Sequence, residues 1–154
     1  MDAFSFLFVD DEKAFIETLA KRLRTRGYQV DCAFSGAEAL NRLETGEPVD
    51  VVVLDIKMPE LDGMSVLEKI KNDHPLVEVI MLTGHATVGS AIEALKIGAF
   101  DYLAKPCDLD DLIIKAQLAI SRKREREERI LEARMKPYIS KRERDELISG
   151  IMKE

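Results

Sequence analysis

Short apolar runs alternate along the chain with longer segments in which apolar residues recur every three or four positions. The runs are rich in β-branched and aromatic residues, which is typical of strands buried on both faces. The longer segments have the spacing of amphipathic helices. The pattern predicts strands at about residues 4–9, 28–33, 50–54, 77–82 and 100–103, and helices at about residues 13–26, 36–45, 64–73, 88–97 and 108–120.

Local signals mark the ends of these helices. Ser35 and Glu38 form a capping box before the second helix, because each side chain can bond a free backbone N–H of the first turn. Gly27 and Gly98 follow the first and fourth helices, where glycine commonly ends a helix. Asp108 is placed to cap the fifth helix. The strict alternation of strand and helix predicts an α/β fold with one five-stranded parallel sheet, doubly wound, with helices on both faces.

The chain changes character after Ile120. Residues 121–129 are almost all charged, so the fifth helix is expected to continue into solvent as a charged face. Pro137 breaks that helix, and Ser140 with Glu143 forms a second capping box before a short helix. We therefore divide the chain into a domain at 3–120 and a helical extension at 121–154. Because the short helix carries apolar residues, we expect the extension to mediate dimerisation or effector contact.

The charge of the 154-residue chain, formally −6, is unevenly distributed. Residues 1–120 hold 12 Lys and Arg against 21 Asp and Glu, whereas residues 121–154 hold 11 against 8. An acidic globular part repels nucleic acid and attracts cations, so no direct nucleic-acid binding is expected. Neither a secretory signal nor an apolar run of membrane-spanning length is present. With Cys32 and Cys107 expected as reduced thiols, the sequence favours a cytoplasmic protein without membrane contact.

Polar residues follow the strands at the points where they end. Asp55 directly follows a run of four aliphatic residues, and taken alone it is more typical of a turn-forming aspartate. In a parallel sheet, however, the carboxyl ends of the strands form the ligand-binding edge. This edge collects Asp10, Asp11, Asp55, Thr83 and Lys105. Clustered carboxylates with open positions suit Mg²⁺, a lysine and a hydroxyl suit phosphate oxygens, and a carboxylate can attack phosphorus to form an acyl phosphate.

Four motifs resemble those of a known family. They are Phe-Val-Asp-Asp-Glu at 8–12, Val-Leu-Asp-Ile-Lys-Met-Pro at 53–59, Met-Leu-Thr-Gly-His-Ala at 81–86 and Asp-Tyr-Leu-Ala-Lys-Pro at 101–106. Together they resemble the receiver domain of bacterial two-component response regulators, in particular receivers of the nitrogen-regulator type. The resemblance covers about residues 3–120 and implies a flavodoxin-like (βα)5 fold.

The resemblance also implies roles for residues at matching positions. Asp55 is implied as the phosphoacceptor, with Mg²⁺ held by Asp10, Asp11, Asp55 and the backbone carbonyl of Lys57. Lys105, Thr83 and Gly84 are implied to accommodate the phosphoryl group, Thr83 and Tyr102 to switch on phosphorylation, and Pro106 to follow a cis peptide bond. Lys57 and His85 lie where the family tunes the lifetime of the acyl phosphate. Tyr102 could instead be a static core aromatic, since most aromatics serve packing.

The implied function is a signalling switch rather than an enzyme, one that assists its own phosphorylation and dephosphorylation. A sensor histidine kinase or phosphotransfer protein would donate the phosphoryl group. The fourth helix, fifth strand and fifth helix would form the surface read by a downstream protein, and that surface or the extension could form a homodimer.

Three alternatives remain open. The first is an Asp-nucleophile phosphatase, which usually carries a second acid two residues after the nucleophile, where this chain has Lys57. The second is a docking module that is no longer phosphorylated. The third concerns how the signal is passed on. We favour a stand-alone regulator that acts through protein contacts, whereas the alternative is an N-terminal receiver fragment of a larger transcriptional regulator. A genomic stop codon after Glu154 would distinguish these two possibilities.

Overall fold

A computed structural model describes residues 4–84 and 87–154 of the chain. Its centre is a five-stranded sheet in which every pairing is parallel and the strand order is β2-β1-β3-β4-β5. The strands are β1 Ser5–Val9, β2 Gln29–Ala33, β3 Val51–Leu54, β4 Glu78–Thr83 and β5 Asp101–Ala104. All five predicted strands are present, although β4 and β5 each lie one residue later than predicted.

The helices follow the strands in strict alternation, as predicted, with a sixth helix at the end. They are α1 Lys13–Thr25, α2 Gly36–Thr45, α3 Gly63–Asp73, α4 Val88–Ile97, α5 Leu109–Met135 and α6 Lys141–Met152. The capping serines Ser35 and Ser140 accept hydrogen bonds from the backbone N–H groups of Glu38 and Glu143. This order of elements is the predicted doubly wound α/β fold.

The sheet separates two apolar cores, because successive side chains of a strand point to opposite faces. On one face, Phe6 and Phe8 of β1 pack with α1 and α5. On the other face, Leu7 and Val9 pack with α2, α3 and α4. Strands β3 and β4 are fully buried along their whole length, which explains their unbroken aliphatic sequence.

Helix α5 continues without a break for 27 residues, well past Ile120. The expectation that residues 121–129 form only a solvated face is wrong at Arg126, whose side chain is buried against Glu78 of β4. After the break near Pro137, α6 packs back on α5 and buries Ile151. Part of the apolar face of the extension is therefore covered by the chain itself.

None of the helices in the described part of the chain is long and apolar enough to cross a membrane.

Candidate functional site

Three carboxylates meet at the carboxyl ends of β1 and β3, where the sequence predicts them. Ligand oxygens of Asp10, Asp11 and Asp55 all lie within 4.8 Å of one another. Asp10 and Asp55 are buried, whereas Asp11 is exposed. Like charges this close repel each other, so the arrangement is favourable only when cationic groups compensate it.

The backbone of Asp55 is fixed by the sheet, but one of its two carboxylate oxygens accepts no hydrogen bond from the described residues. It directly follows the buried strand β3, and its backbone N–H donates to the carbonyl of Val9 at 3.0 Å. Its side chain is only 4% exposed, and its Oδ1 is buried without a hydrogen-bond partner among the described residues. A buried carboxylate oxygen without a donor is costly. This oxygen is therefore free to accept a metal ion or to react.

Lys105 supplies the cation nearest to these acids. Its Nζ donates to Asp10 Oδ2 at 2.5 Å and to Glu12 Oε1 at 3.1 Å, and it lies 3.7 Å from Asp55 Oδ2. The ammonium also lies over the ring of Phe15, 4.5 Å from its centroid. The backbone N–H of Lys105 donates to the carbonyl of Thr83, so β4 and β5 fix its position. The Lys105–Pro106 peptide bond is cis, as the resemblance implies.

The protonation of Asp10 and Lys105 reflects the excess negative charge. Burial raises the pKa of Asp10, and the charge of Asp55 acts in the same direction, while bonds from Lys105 and the Glu12 backbone oppose it. Burial alone would lower the pKa of Lys105, but its bonds to Asp10 and Glu12 and the charges of Asp10 and Asp55 leave that pKa raised. Both groups therefore hold their protons more strongly than usual, as expected of a site that attracts cations.

The remaining predicted residues lie at the ends of β4 and β5. Thr83 ends β4 with its side chain fully buried, in register with Ala104. A Cβ added to the next residue, Gly84, would meet no atom of the described residues outside its chain neighbours within 4 Å. Tyr102 on β5 is half-buried, and its hydroxyl lies 2.8 Å from the hydroxyl of Ser90, in the first turn of α4. Tyr102 is thus both a packing aromatic and a polar link to α4.

Two predicted positions add less. The side chain of Lys57 is exposed in the loop two residues after Asp55. His85 lies outside the residues that the structure describes.

Three residues that shape the site are not predicted from the sequence. Glu12 is a second carboxylate partner of Lys105 and could have been suggested by its place in the acidic run. Phe15 lies under the ammonium of Lys105, but its helical spacing indicates only packing. Gly63 begins α3, and a Cβ there would lie 2.0 Å from the backbone oxygen of Asp55. Only glycine therefore fits beside the Asp55 backbone, a requirement that no local pattern reveals.

The acids fit a hard divalent cation. Carboxylate oxygens are the ligands that Mg²⁺ prefers, and Mg²⁺ usually keeps several waters, so few protein ligands suffice. The unpartnered Oδ1 of Asp55 and the exposure of Asp11 leave acceptor positions for such an ion and its waters.

Comparison with known sequences identifies one family. The model of the response regulator receiver domain matches residues 6–117. Regulatory protein AtoC of Escherichia coli is 40% identical over 114 residues, which cover 74% of this chain and 24% of AtoC. The DNA-binding transcriptional regulator NtrC of Klebsiella pneumoniae is 38% identical over 120 residues, which cover 78% of this chain and 25% of NtrC. The chain thus spans about a quarter of the length of these relatives.

Solved structures agree with this assignment. A receiver domain from Clostridium thermocellum superposes with a TM-score of 0.74 at 41% identity, over 79% of this chain and 97% of that one. The receiver domain of NtrX from Brucella abortus gives a TM-score of 0.70 at 35% identity, over 75% and 98%. These likenesses, together with the family match over residues 6–117, show that the chain belongs to the response regulator receiver domain family of two-component systems.

Proposed function

We propose that the chain accepts a phosphoryl group on Asp55 and thereby switches a protein-binding surface. The observation that carries this proposal is the buried carboxylate of Asp55, which lies among Asp10, Asp11 and Lys105 and whose Oδ1 has no partner among the described residues. A carboxylate so placed is fixed for attack. Lys105 can balance the charge of a phosphoryl group, and Asp10 and Asp11 can hold a divalent cation that does the same. Receiver domains are signalling proteins, and we infer that this one assists its own phosphorylation and dephosphorylation without being an enzyme on another substrate.

The donor in this proposal is a phosphohistidine of a sensor histidine kinase or phosphotransfer protein. An oxygen of Asp55 forms a bond to phosphorus while the bond from phosphorus to the imidazole nitrogen breaks, and the released imidazole takes up a proton. Asp55 becomes an acyl phosphate. Lys105, 3.7 Å from Asp55 Oδ2 before transfer, then pairs with a phosphoryl oxygen.

Asp10, Asp11, Asp55 and the backbone carbonyl of Lys57 are the proposed holders of Mg²⁺, which supplies positive charge to the phosphoryl oxygens when bound. Asp10 is shared with Lys105 through a 2.5 Å hydrogen bond. If the Lys105 ammonium moves from Asp10 towards the phosphoryl group, the carboxylate of Asp10 becomes available to the metal ion.

The proposed switch runs through Thr83 and Tyr102. Thr83 ends β4 at the same edge of the sheet as Asp55, with Gly84 leaving open space beside it. Tyr102 bonds Ser90, and Ser90 is also part of the capping box that begins α4 with Thr87. A rotamer change at Tyr102 would break this bond and alter the first turn of α4. Phosphorylation needs to shift such a two-state element by only a few kcal/mol.

The surface that would report this change lies on α4, β5 and α5. Several large apolar side chains are exposed on α4 and α5: Val88, Ile92, Leu95, Ile114 and Leu118. An apolar patch of this kind commonly marks a protein-binding site. A downstream protein or a second copy of the chain is the proposed occupant.

An Asp-nucleophile phosphatase is the weaker alternative. Its general acid would be expected two residues after Asp55, where the chain has Lys57, whose side chain is exposed. The lysine at this position is not the carboxyl group that such an enzyme uses there as its general acid.

Incubation with Mg²⁺ and acetyl phosphate, followed by intact-mass measurement, tests the proposal. We expect a gain of one phosphoryl group in the parent chain, loss of that gain with EDTA, and no gain in Asp55→Asn. Asp73→Asn is the matched control, because Asp73 is an exposed residue at the end of α3.

Beryllofluoride is an unreactive mimic of the phosphoryl group. It therefore distinguishes a site that binds the group without keeping it covalently from a site that does not bind it. If neither a mass gain nor a beryllofluoride-dependent rise in thermal stability is found in the parent, the phosphoacceptor proposal is wrong and the docking-module alternative is favoured.

A further inference from the structure

A large cleft opens on the side of the molecule opposite to the acidic site. It has a volume of about 750 Å³ and lies between the α3–β4 and α4–β5 regions on one side and the helical extension on the other. Glu78, which pairs with the lining residues Arg122 and Arg126 in an ion cluster, is the first residue of β4. Thr83, at the acidic edge of the sheet, is the last residue of the same strand. The cleft therefore does not overlap the phosphoacceptor site.

Cations dominate the walls of this cleft, although the whole chain carries a formal charge of −6. The only acids among the described lining residues are Asp145 and Glu154, and Arg129 pairs with Glu154 from outside the cleft. Six basic residues line it: Lys71, Arg122, Arg126, Arg134, Arg144 and Lys153. An excess of like charge in a concave, half-buried site favours an anionic occupant.

The ion cluster at the cleft base leaves positive charge uncompensated. Glu78 is fully buried and accepts from Arg122 and Arg126, with Lys71 Nζ 3.6 Å away. One carboxylate thus faces three cations. Among the described residues, Arg126 is only 3% exposed and its Nε has no hydrogen-bond partner, and the same is true of the buried Nε of Arg144. The two guanidinium groups therefore keep donor capacity that no described acceptor uses.

The remaining wall is apolar. Leu95 of α4 and Ile148 and Met152 of α6 line the cleft beside the cations. Pockets of this volume that join apolar walls with a few convergent charged groups are typical of small-molecule sites.

We propose that the cleft between the receiver core and the helical extension binds a small phosphorylated molecule of nucleotide size. Its phosphate oxygens pair with the exposed rim cations Arg134 and Lys153 and with the half-buried Arg144. The buried Arg126 adds positive charge without touching the ligand. Its base or other apolar body lies on Leu95, Ile148 and Met152. The site joins α6 to the receiver core, so occupancy holds the extension against the domain.

Lys71 provides a signature specific to this site. Burial lowers the pKa of Lys71 to about 8, and the charges of Arg126 and Arg122 act in the same direction against the opposing effect of Glu78. A bound polyanion offsets that repulsion and raises the pKa again. Binding near pH 8 is therefore accompanied by proton uptake.

Isothermal titration of the full chain with ADP and with inorganic pyrophosphate tests the proposal, in EDTA so that no metal occupies the acidic site. The variant R134Q/K153Q removes two exposed rim cations that make no side-chain hydrogen bonds to described residues. The control R22Q/R124Q removes the same charge from exposed positions outside the cleft. We expect about tenfold weaker binding in R134Q/K153Q and less than about twofold change in the control.

Two further measurements test the role of Lys71 and the contribution of the apolar wall. Titration at pH 8 in Hepes and in Tris should give heats that differ in proportion to the difference between the ionisation enthalpies of the two buffers, as expected for proton uptake. Lys71→Met should abolish this difference. ADP should bind more tightly than pyrophosphate because of the apolar wall. Failure of both probes to bind the folded parent, or equal weakening in both double variants, overturns the proposal, and equal affinities for the two probes overturn its apolar part.

Discussion

Lys105 is paired more closely with Asp10 than with Asp55: its Nζ lies 2.5 Å from Asp10 Oδ2 and 3.7 Å from Asp55 Oδ2. The lysine thus occupies one of the carboxylates that the proposed metal ion requires. We therefore expect the ammonium and an incoming Mg²⁺ to compete for Asp10.

Lys105→Met should therefore strengthen Mg²⁺ binding while weakening phosphorylation. Removal of a neighbouring positive charge leaves Asp10 free, and we expect Mg²⁺ to bind about fivefold more tightly, measured by titration calorimetry. The rate of phosphorylation by acetyl phosphate should fall, because no lysine ammonium remains to pair with the phosphoryl group beside the metal ion. Lys96→Met, at an exposed position of α4, should change neither quantity. Weaker Mg²⁺ binding in Lys105→Met would contradict the competition.

Asp55→Asn should stabilise the metal-free chain. Asp10, Asp11 and Asp55 repel one another within 4.8 Å, and the amide removes one of these charges without changing size. We expect the free energy of unfolding in EDTA to rise by about 1 kcal/mol in urea titrations. Mg²⁺ should then stabilise the parent more than the variant. A lower stability of Asp55→Asn in EDTA would show that the repulsion is already compensated.

Gly63→Ala should disturb both stability and the site. The new Cβ would lie 2.0 Å from the backbone oxygen of Asp55, so the loop must move. We expect a loss of about 2–3 kcal/mol in the free energy of unfolding, with slower phosphorylation of Asp55. The matched control is Gly150→Ala in α6, where a Cβ meets nothing within 4 Å. That change should stabilise the helix by about 0.5–1 kcal/mol. Equal stability of the two variants would refute the close approach.

Glu78→Gln should be among the most destabilising single charge changes. It leaves the buried Arg126 and its neighbour Arg122 without a counter-charge, and we expect a cost of about 3–5 kcal/mol in urea unfolding. Glu146→Gln removes a carboxylate from an exposed pair with Arg142 and should change stability by less than about 1 kcal/mol. A small effect at Glu78 would mean that water reaches the cluster.

The lowered pKa of Lys71 predicts a stability that rises in mild alkali. An unfolded lysine holds its proton up to its ordinary pKa of 10.5, whereas the folded one loses it at about 8. Between these values the unfolded state binds more protons, so the free energy of unfolding increases with pH. Relative to Lys71→Met, the parent should gain about 2 kcal/mol between pH 8 and pH 10.5. Both proteins share every other titrating group. A difference in the free energy of unfolding that stays constant with pH would therefore contradict the lowered pKa of Lys71.

The fold and the acidic cluster could be predicted because both depend on local patterns joined by one topological rule. Unbroken aliphatic runs indicate strands such as β3, and the alternation with helices makes the sheet parallel. Once the sheet is parallel, residues at the strand ends, such as Asp10 and Asp55, must meet at one edge.

The ion cluster could not be predicted in the same way. Arg126 lies in a run of charges, and 48 residues separate it from Glu78. A run of charged residues at helical spacing predicts an exposed helix and does not show which of its faces is buried. The burial of Arg126 follows only from the path of α5 across the start of β4. Gly63 was missed for a related reason, since the space it leaves is filled by backbone from another part of the loop.

Helix α5 also has a mechanical consequence. Its 27 residues form a rod about 40 Å long, which begins four residues after Lys105 and ends in the extension. The bonds of Arg122 and Arg126 to Glu78 act as a fulcrum near its middle. If the rod stays straight, a tilt of about 5° at the end near the acidic site moves the other end by about 2 Å relative to this fulcrum. The domain thus contains a lever with arms of similar length, through which a shift of the start of α5 becomes an opposite shift of similar size at the end that carries α6.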